Sequence, residues 1–178
     1  TPHQLSKEVF LHPLVKLAIR SVEHFIETGK SLPCPAHLPD FLKQSAGTFV
    51  SIKKQGSLRG CIGTMTPKYK NLAEEVIQNA LRSANEDPRF DPIQKKELPS
   101  LTFSVDVLQP LEKIENIKDH NIKQFGLVIR GKGKQGVLLP DLDIIKSADQ
   151  QLKVCLTKGG FKSHDTYEIF RFEVKRFI

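Results

Sequence analysis

Residues 58–64 read Leu58, Arg59, Gly60, Cys61, Ile62, Gly63, Thr64, and they set a thiol, a guanidinium and two glycines on one apparent strand. Glycine weakens a strand interior, so a pair of glycines there points to close approach by another backbone or by a ligand. Strand alternation predicts Arg59 and Cys61 on one face, with Leu58 and Ile62 on the other. A cation beside a thiol lowers its pKa, which nucleophilic or redox chemistry requires. The same pattern also suits a small buried cysteine, a residue type often found in cores.

Working outward, residues 47–53 form a second strand, joined to 58–64 by a short turn at Lys54, Gln55 and Gly56; the pair predicts a β-hairpin. Pro67 punctuates the loop that follows, and Asn71 with Glu74 predicts the capped start of a helix. Its buried stripe is Leu72, Val76, Ile77, Ala80 and Ala84. That helix gives out in the charged, proline-stiffened run 86–92, which contains Glu86, Asp87, Pro88 and Arg89.

Upstream, residues 6–28 carry helical spacing, with Pro13 near the start and Gly29 as a stop. The prolines between Ser31 and Asp40 mark a surface loop. Downstream, 101–108 alternates as a strand, 111–123 is polar and ambiguous, and 126–130 and 136–139 form two strands across a Gly- and Lys-rich turn. Ser147 and Gln150 cap a helix running to Lys158, with Cys155 on its buried side. Residues 167–178 read as one long strand with a wet face. The class is α+β, a mainly antiparallel sheet flanked by helices. One unit over residues 1–178, with room for a small second lobe, fits the absence of repeats and linkers.

At 178 residues, 39% apolar and 26% charged, the chain has the composition of a globular domain, with no apolar run long enough to span a bilayer. Three cysteines and an N-terminus without a secretory signal fit the cytoplasm and a reducing compartment. The net charge of +7 raises nucleic acid as a partner. With two Tyr and no Trp there is no stacking platform, so a solvated basic face is the better reading of Arg130, Lys132 and Lys134. Gly126, Gly131 and Lys132 mimic a phosphate loop, but Gly133 follows where Ser or Thr is needed, and the intervening residues form a strand. Cys34 and His37 make half of a zinc spacing without a second pair; His3, His12, His24, His120 and His164 are scattered. No metal and no cofactor are expected.

Taken in order, 58–64, then Asp87, Pro88, Arg89 and Phe90, then Gly126 and Leu127, then 136–140 with Cys155 and Lys158, resemble the landmarks of the AMMECR domain family over essentially the whole chain. Phe125 departs from the family pattern at an often polar position. The resemblance implies an α+β fold of two unequal lobes with a groove between them, near the hallmark strand. It also implies membership of the AmmeMemoRadiSam system, with a Memo-type protein and a radical S-adenosylmethionine protein as partners in modifying a small molecule or protein. This chain lacks the three-cysteine motif that would hold the iron-sulfur centre itself. In a cysteine-dependent reading Cys61 reacts, Arg59 holds an anionic group or stabilises the thiolate, and Asp87 or Glu86 orients the pair. Gly60, Gly63, Thr64, Glu86 and Arg89 then line the binding site. In an adaptor reading the same groove docks a ligand or partner without chemistry.

Overall fold

The computed structural model describes residues 11–178. Its elements, in chain order, are α1 (Pro13–Thr28), α2 (Asp40–Lys43), β1 (Thr48–Lys54), β2 (Ser57–Gly63), α3 (Leu72–Asn85), a 3-10 helix (Lys95–Ser100), β3 (Leu101–Leu108), β4 (Glu112–Ile114), β5 (Gly126–Gly131), β6 (Lys134–Leu138), α4 (Ala148–Lys158), β7 (Glu168–Phe172) and β8 (Val174–Phe177). The strands make two sheets, ordered β2-β1-β3-β8 and β4-β7-β5-β6, and the α+β class holds. Among the described residues no helix is long and apolar enough to cross a membrane. The chain divides into two compact units, one reaching Val107 and including Arg176–Ile178, the other Leu108–Lys175.

In the first unit β1 lies between β2 and β3, antiparallel to both. Its even-numbered residues Val50 and Ile52 are fully buried with Val105 of β3 and with Val76, Ile77 and Ala80 of α3. Burying one such side chain stabilises by about 1.5–3 kcal/mol. Helix α1 adds Leu14, Val15, Ala18 and Val22 to this core. It begins at Pro13 because the His12 Nδ1 accepts the Leu14 N–H at 3.2 Å and proline needs no N–H partner in the first turn. The expected helix over 6–28 is thus described from Pro13 onward; its residues 6–10, like His3, lie outside the described residues. Asn71 caps α3 by accepting the Glu74 N–H at 2.9 Å, as its sequence predicts.

In the second unit α4 packs on β5 and β6 around Leu127, Ile129, Leu138, Ile145 and Cys155. Cys155 is fully buried, and burial pushes its thiol up to about 12. Two expectations change here. The polar stretch 111–123 contains strand β4, paired with β7. The long strand over 167–178 is two: it breaks at Glu173, with β7 in one sheet and β8 in the other. Its alternation persists across the break, so periodicity alone does not register the change of sheet.

Gln151, also buried, donates through Nε2 to the Phe125 carbonyl at 3.2 Å and holds its Oε1 at 2.6 Å from His120 Nε2. His120 therefore carries its proton on Nε2. Its Nδ1 is buried with no partner among the described residues. Burial lowers the His120 pKa, outweighing the Gln151 hydrogen bond; burial lowers that of His12 as well. Because the unfolded chain accepts these protons first, stability is full above the ordinary histidine value of about 6.5 and falls as pH drops below it. The urea midpoint is expected to be lower at acid than at neutral pH, with a smaller difference in His120→Gln; an unchanged difference in that variant would contradict this assignment.

Candidate functional site

Strand β2 is an edge strand whose register with β1 shifts between Ile52 and Lys53. Gly60 opposes Ile52 and Leu58 opposes Lys53, so Arg59 is the extra residue of a bulge. The bulge interrupts the strict alternation expected over 58–62. It also brings Cys61 directly opposite Ser51, with the thiol sulfur 3.3 Å from the Ser51 hydroxyl.

Helix α3 is fastened to this hairpin through polar side chains spaced four apart on one helix face. Glu75, Asn79 and Ser83 are all buried. Glu75 accepts from the Thr64 hydroxyl at 2.5 Å and from the Lys68 and Tyr69 N–H groups. Asn79 donates to the carbonyl and hydroxyl of Thr48. Ser83 accepts the Ile62 N–H at 2.8 Å and donates to the Val50 carbonyl at 2.8 Å, so its hydroxyl bridges two residues paired across the hairpin. Each buried group gains a partner, avoiding a penalty of about 1–3 kcal/mol.

The two glycines follow from this packing. A Cβ on Gly60 would lie 2.1 Å from the Ser83 carbonyl oxygen, and one on Gly63 would lie 2.2 Å from the Thr48 carbonyl oxygen and 2.4 Å from the Phe49 ring. The close approach expected at the glycine pair is made by the protein itself, by the α3 backbone at Gly60 and by the β1 backbone and the Phe49 ring at Gly63.

Beyond α3 the chain turns at 87–90, with the Phe90 N–H donating to the Asp87 carbonyl at 3.1 Å. Asp87, only 3% exposed at its side chain, accepts the Cys61 N–H at 3.0 Å through Oδ2. Arg89 donates to both Asp87 oxygens, at 2.9 and 2.7 Å, and its Nη2 reaches the Cys61 carbonyl at 3.4 Å. A carboxylate and a guanidinium thus occupy both backbone groups of Cys61 at the free edge of β2. Hydrogen bonding by Arg89 brings Asp87 down to about 2.

Arg59 is engaged elsewhere. Its Nε and Nη2 donate to the two oxygens of Glu97 at 3.0 and 3.1 Å, and Lys54 donates to the same carboxylate. Led by Arg59, these contacts bring Glu97 down to about 2. The ring of Phe90 lies 6.0 Å from the Arg59 guanidinium and 5.5 Å from that of Arg89.

The cation acting on the thiol is therefore Arg89 rather than Arg59. Burial nonetheless pushes Cys61 up, against the Ser51 hydrogen bond and Arg89, with Asp106 and Asp87 adding to the rise. Cys61, Asp87 and Arg89 come together; Arg59 adjoins them through Phe90. Thr64 is turned inward onto Glu75 and Asn79, and Glu86 pairs with Arg82 at 3.5 Å. Ser51, Ser83, Phe90 and Glu97 belong to the arrangement without having been singled out as site residues in the sequence. The order of strand, turn and strand signals Ser51, but only if the bulge is known. Among the described residues no group of His, Cys, Asp or Glu could hold a metal ion.

The AMMECR1 family model matches residues 15–177. A protein of Thermotoga maritima is 39% identical over 169 residues, covering 93% of this chain and 97% of the relative. One from Clostridium acetobutylicum is 38% identical over 176 residues, which make up 96% of this chain but 37% of that longer protein. The crystal structure of an uncharacterized protein from Pyrococcus horikoshii superimposes with a TM-score of 0.84 at 31% identity, covering 92% of this chain and 88% of that one.

Removing the carboxylate that takes the Cys61 N–H leaves that group and Arg89 without their partner. Asp87→Ala is expected to cost about 2–3 kcal/mol in denaturant unfolding, against less than about 0.5 for Glu86→Ala. Asp87's contribution is complete above its ordinary range and is lost as pH falls toward about 2. Equal costs for the two variants would refute the placement of Asp87 as the support of Cys61.

Proposed function

This chain belongs to the AMMECR1 family, and from that premise we propose that it is a binding module whose recognition surface is the 87–90 turn mounted on the Cys61 strand. Its place is in a pathway with a Memo-type protein and a radical S-adenosylmethionine protein, where it presents a partner or ligand rather than performing the bond-making step. The observation that carries this reading is the state of Cys61: the thiol sits on the Ser51 hydroxyl, and burial raises its pKa. A thiol above its ordinary value of about 8.5 is overwhelmingly protonated at neutral pH, and the thiolate is the nucleophile. The charged groups acting on it are Arg89, Asp106 and Asp87, a guanidinium and two carboxylates with no imidazole among them to serve as the usual general base.

The turn has the residue types of a recognition site. Arginine and aromatic side chains dominate binding hot spots, because each contributes large contact area with directed donors or a polarised face. The Arg89 side chain is 56% exposed while anchored at Asp87, so it is held in place before a partner arrives, and less ordering entropy is lost on binding. Phe90 between two guanidiniums extends the same surface.

Co-purification with the Memo-type protein tests the reading. Cys61→Ser is expected to bind within about twofold of wild type, whereas Arg89→Ala and Phe90→Ala should each weaken binding by about tenfold or more. Phe90→Ala is the cleaner variant, since it leaves the Asp87 pair intact. Loss of pathway output in a folded Cys61→Ser protein, with the Phe90 variant unaffected, would replace this reading with cysteine-dependent modification.

A further inference from the structure

The β5–β6 hairpin of the second unit ends in a cluster of cations that the 87–90 site does not use. Asp165, 4% exposed at its side chain, accepts Lys134 Nζ at 2.9 Å and Lys132 Nζ at 3.5 Å. The Lys162 N–H donates to the same carboxylate at 2.8 Å, and the His164 imidazole lies 3.7 Å away. Lys134 also donates to the Gly160 carbonyl at 3.0 Å, and Lys158 to that of Val137 at 3.2 Å. These bonds gather the hairpin tip and the segment 158–165 into one surface. The backbones meet so closely that a Cβ on Gly131 would be 2.3 Å from the Thr166 carbonyl oxygen.

Positive charge is left over there. Asp165 offsets one cation, and Glu168, which opposes Arg130 in register, is engaged by Lys113 at 3.0 Å. Lys132 keeps 53% of its side chain exposed, and Lys158 and Lys162 are exposed as well. An ammonium carries three donors, and the contact with Asp165 uses at most one from Lys132.

The chemistry of the partner follows from what the cluster already holds and from what its rings can do. Its internal anion is a carboxylate. Of the nearby rings, Phe161 and Phe170 each have a cation over them, Lys134 at 5.9 Å and Arg130 at 5.4 Å, and the exposed Tyr167 meets Phe161 edge-on at 6.0 Å. Two cation-covered rings and one tyrosine packed edge-on make a poorer row of stacking platforms than successive bases of single-stranded nucleic acid use, whereas the ammonium groups suit carboxylates directly.

We infer that this end of the second unit docks an acidic segment of a partner protein, whose carboxylates take the free ammonium hydrogens of Lys132, Lys158 and Lys162 while Asp165 holds the hairpin and loop in register. This surface is separate in sequence from the 87–90 turn, and its test does not depend on that site.

A labelled decaglutamate peptide, titrated against the full chain alongside single-stranded and duplex DNA of matched charge, provides the test. The peptide is expected to bind in preference to either DNA and to weaken between about 50 and 200 mM salt. Lys132→Glu/Lys162→Glu should reduce its affinity by about tenfold or more. Arg20→Glu/Lys30→Glu, which changes net charge equally in the first unit, should reduce it by less than about threefold. Lys132→Ala/Lys162→Ala serves in its place if the glutamate variant melts below wild type. Absence of peptide binding, equal losses in both double variants, or tighter binding of either DNA would overturn the inference, the last in favour of a nucleic-acid surface.

Discussion

The contact between the Ser83 turn of α3 and strand β2 governs the first unit. A backbone carbonyl stands where a side chain on residue 60 would be, and one turn of hydroxyl chemistry joins the Ile62 N–H to the Val50 carbonyl. The helix is thereby fixed against the hairpin by directed bonds as well as by apolar packing. With Asn79 and Glu75 continuing the same face, α3 cannot slide along the strands without leaving buried donors and acceptors unpaired. The bonds specify a position; the apolar core of Val50, Ile52, Val76 and Ile77 supplies most of the stability.

That position decides where the chain emerges from α3. Its end delivers Asp87 to the edge of β2, where the carboxylate takes the Cys61 N–H and is itself held by Arg89. The same pair occupies an edge that would otherwise offer unpaired backbone groups to another chain. The charges around the thiol are thus largely matched in pairs, Arg89 with Asp87 and Arg59 with Glu97. Burial acts more strongly on Cys61 than the remaining cationic field, and a neutral thiol results.

Much of this was legible in the sequence because it depends on local chemistry. The hairpin, the Asn71 and Ser147 caps and the burial of Cys155 follow from turn residues, capping side chains and helical spacing. The site was legible only in part. One extra residue at Arg59 changes which side chain opposes Cys61, and nothing in an alternating pattern marks a bulge. The partner of Arg59 lies in the 3-10 helix, far along the chain at Glu97, and long-range ion pairs leave no periodic signal. The glycines correctly indicated a close approach, but not that Ser83, Thr48 and Phe49 make it. Likewise, the alternation of Phe170, Phe172 and Val174 against Arg171, Glu173 and Lys175 concealed the passage of the chain from one sheet to the other at Glu173.

The state of the Cys61 thiol separates a recognition surface from a nucleophile most directly. It can be titrated by thiolate absorbance in a Cys34→Ser background, where Cys155 is held up to about 12 and stays silent. A midpoint above the ordinary thiol value of about 8.5 is expected, because burial outweighs Arg89. A midpoint below about 7, in the range of activated cysteines, would contradict a neutral thiol and make Cys61 the reacting group.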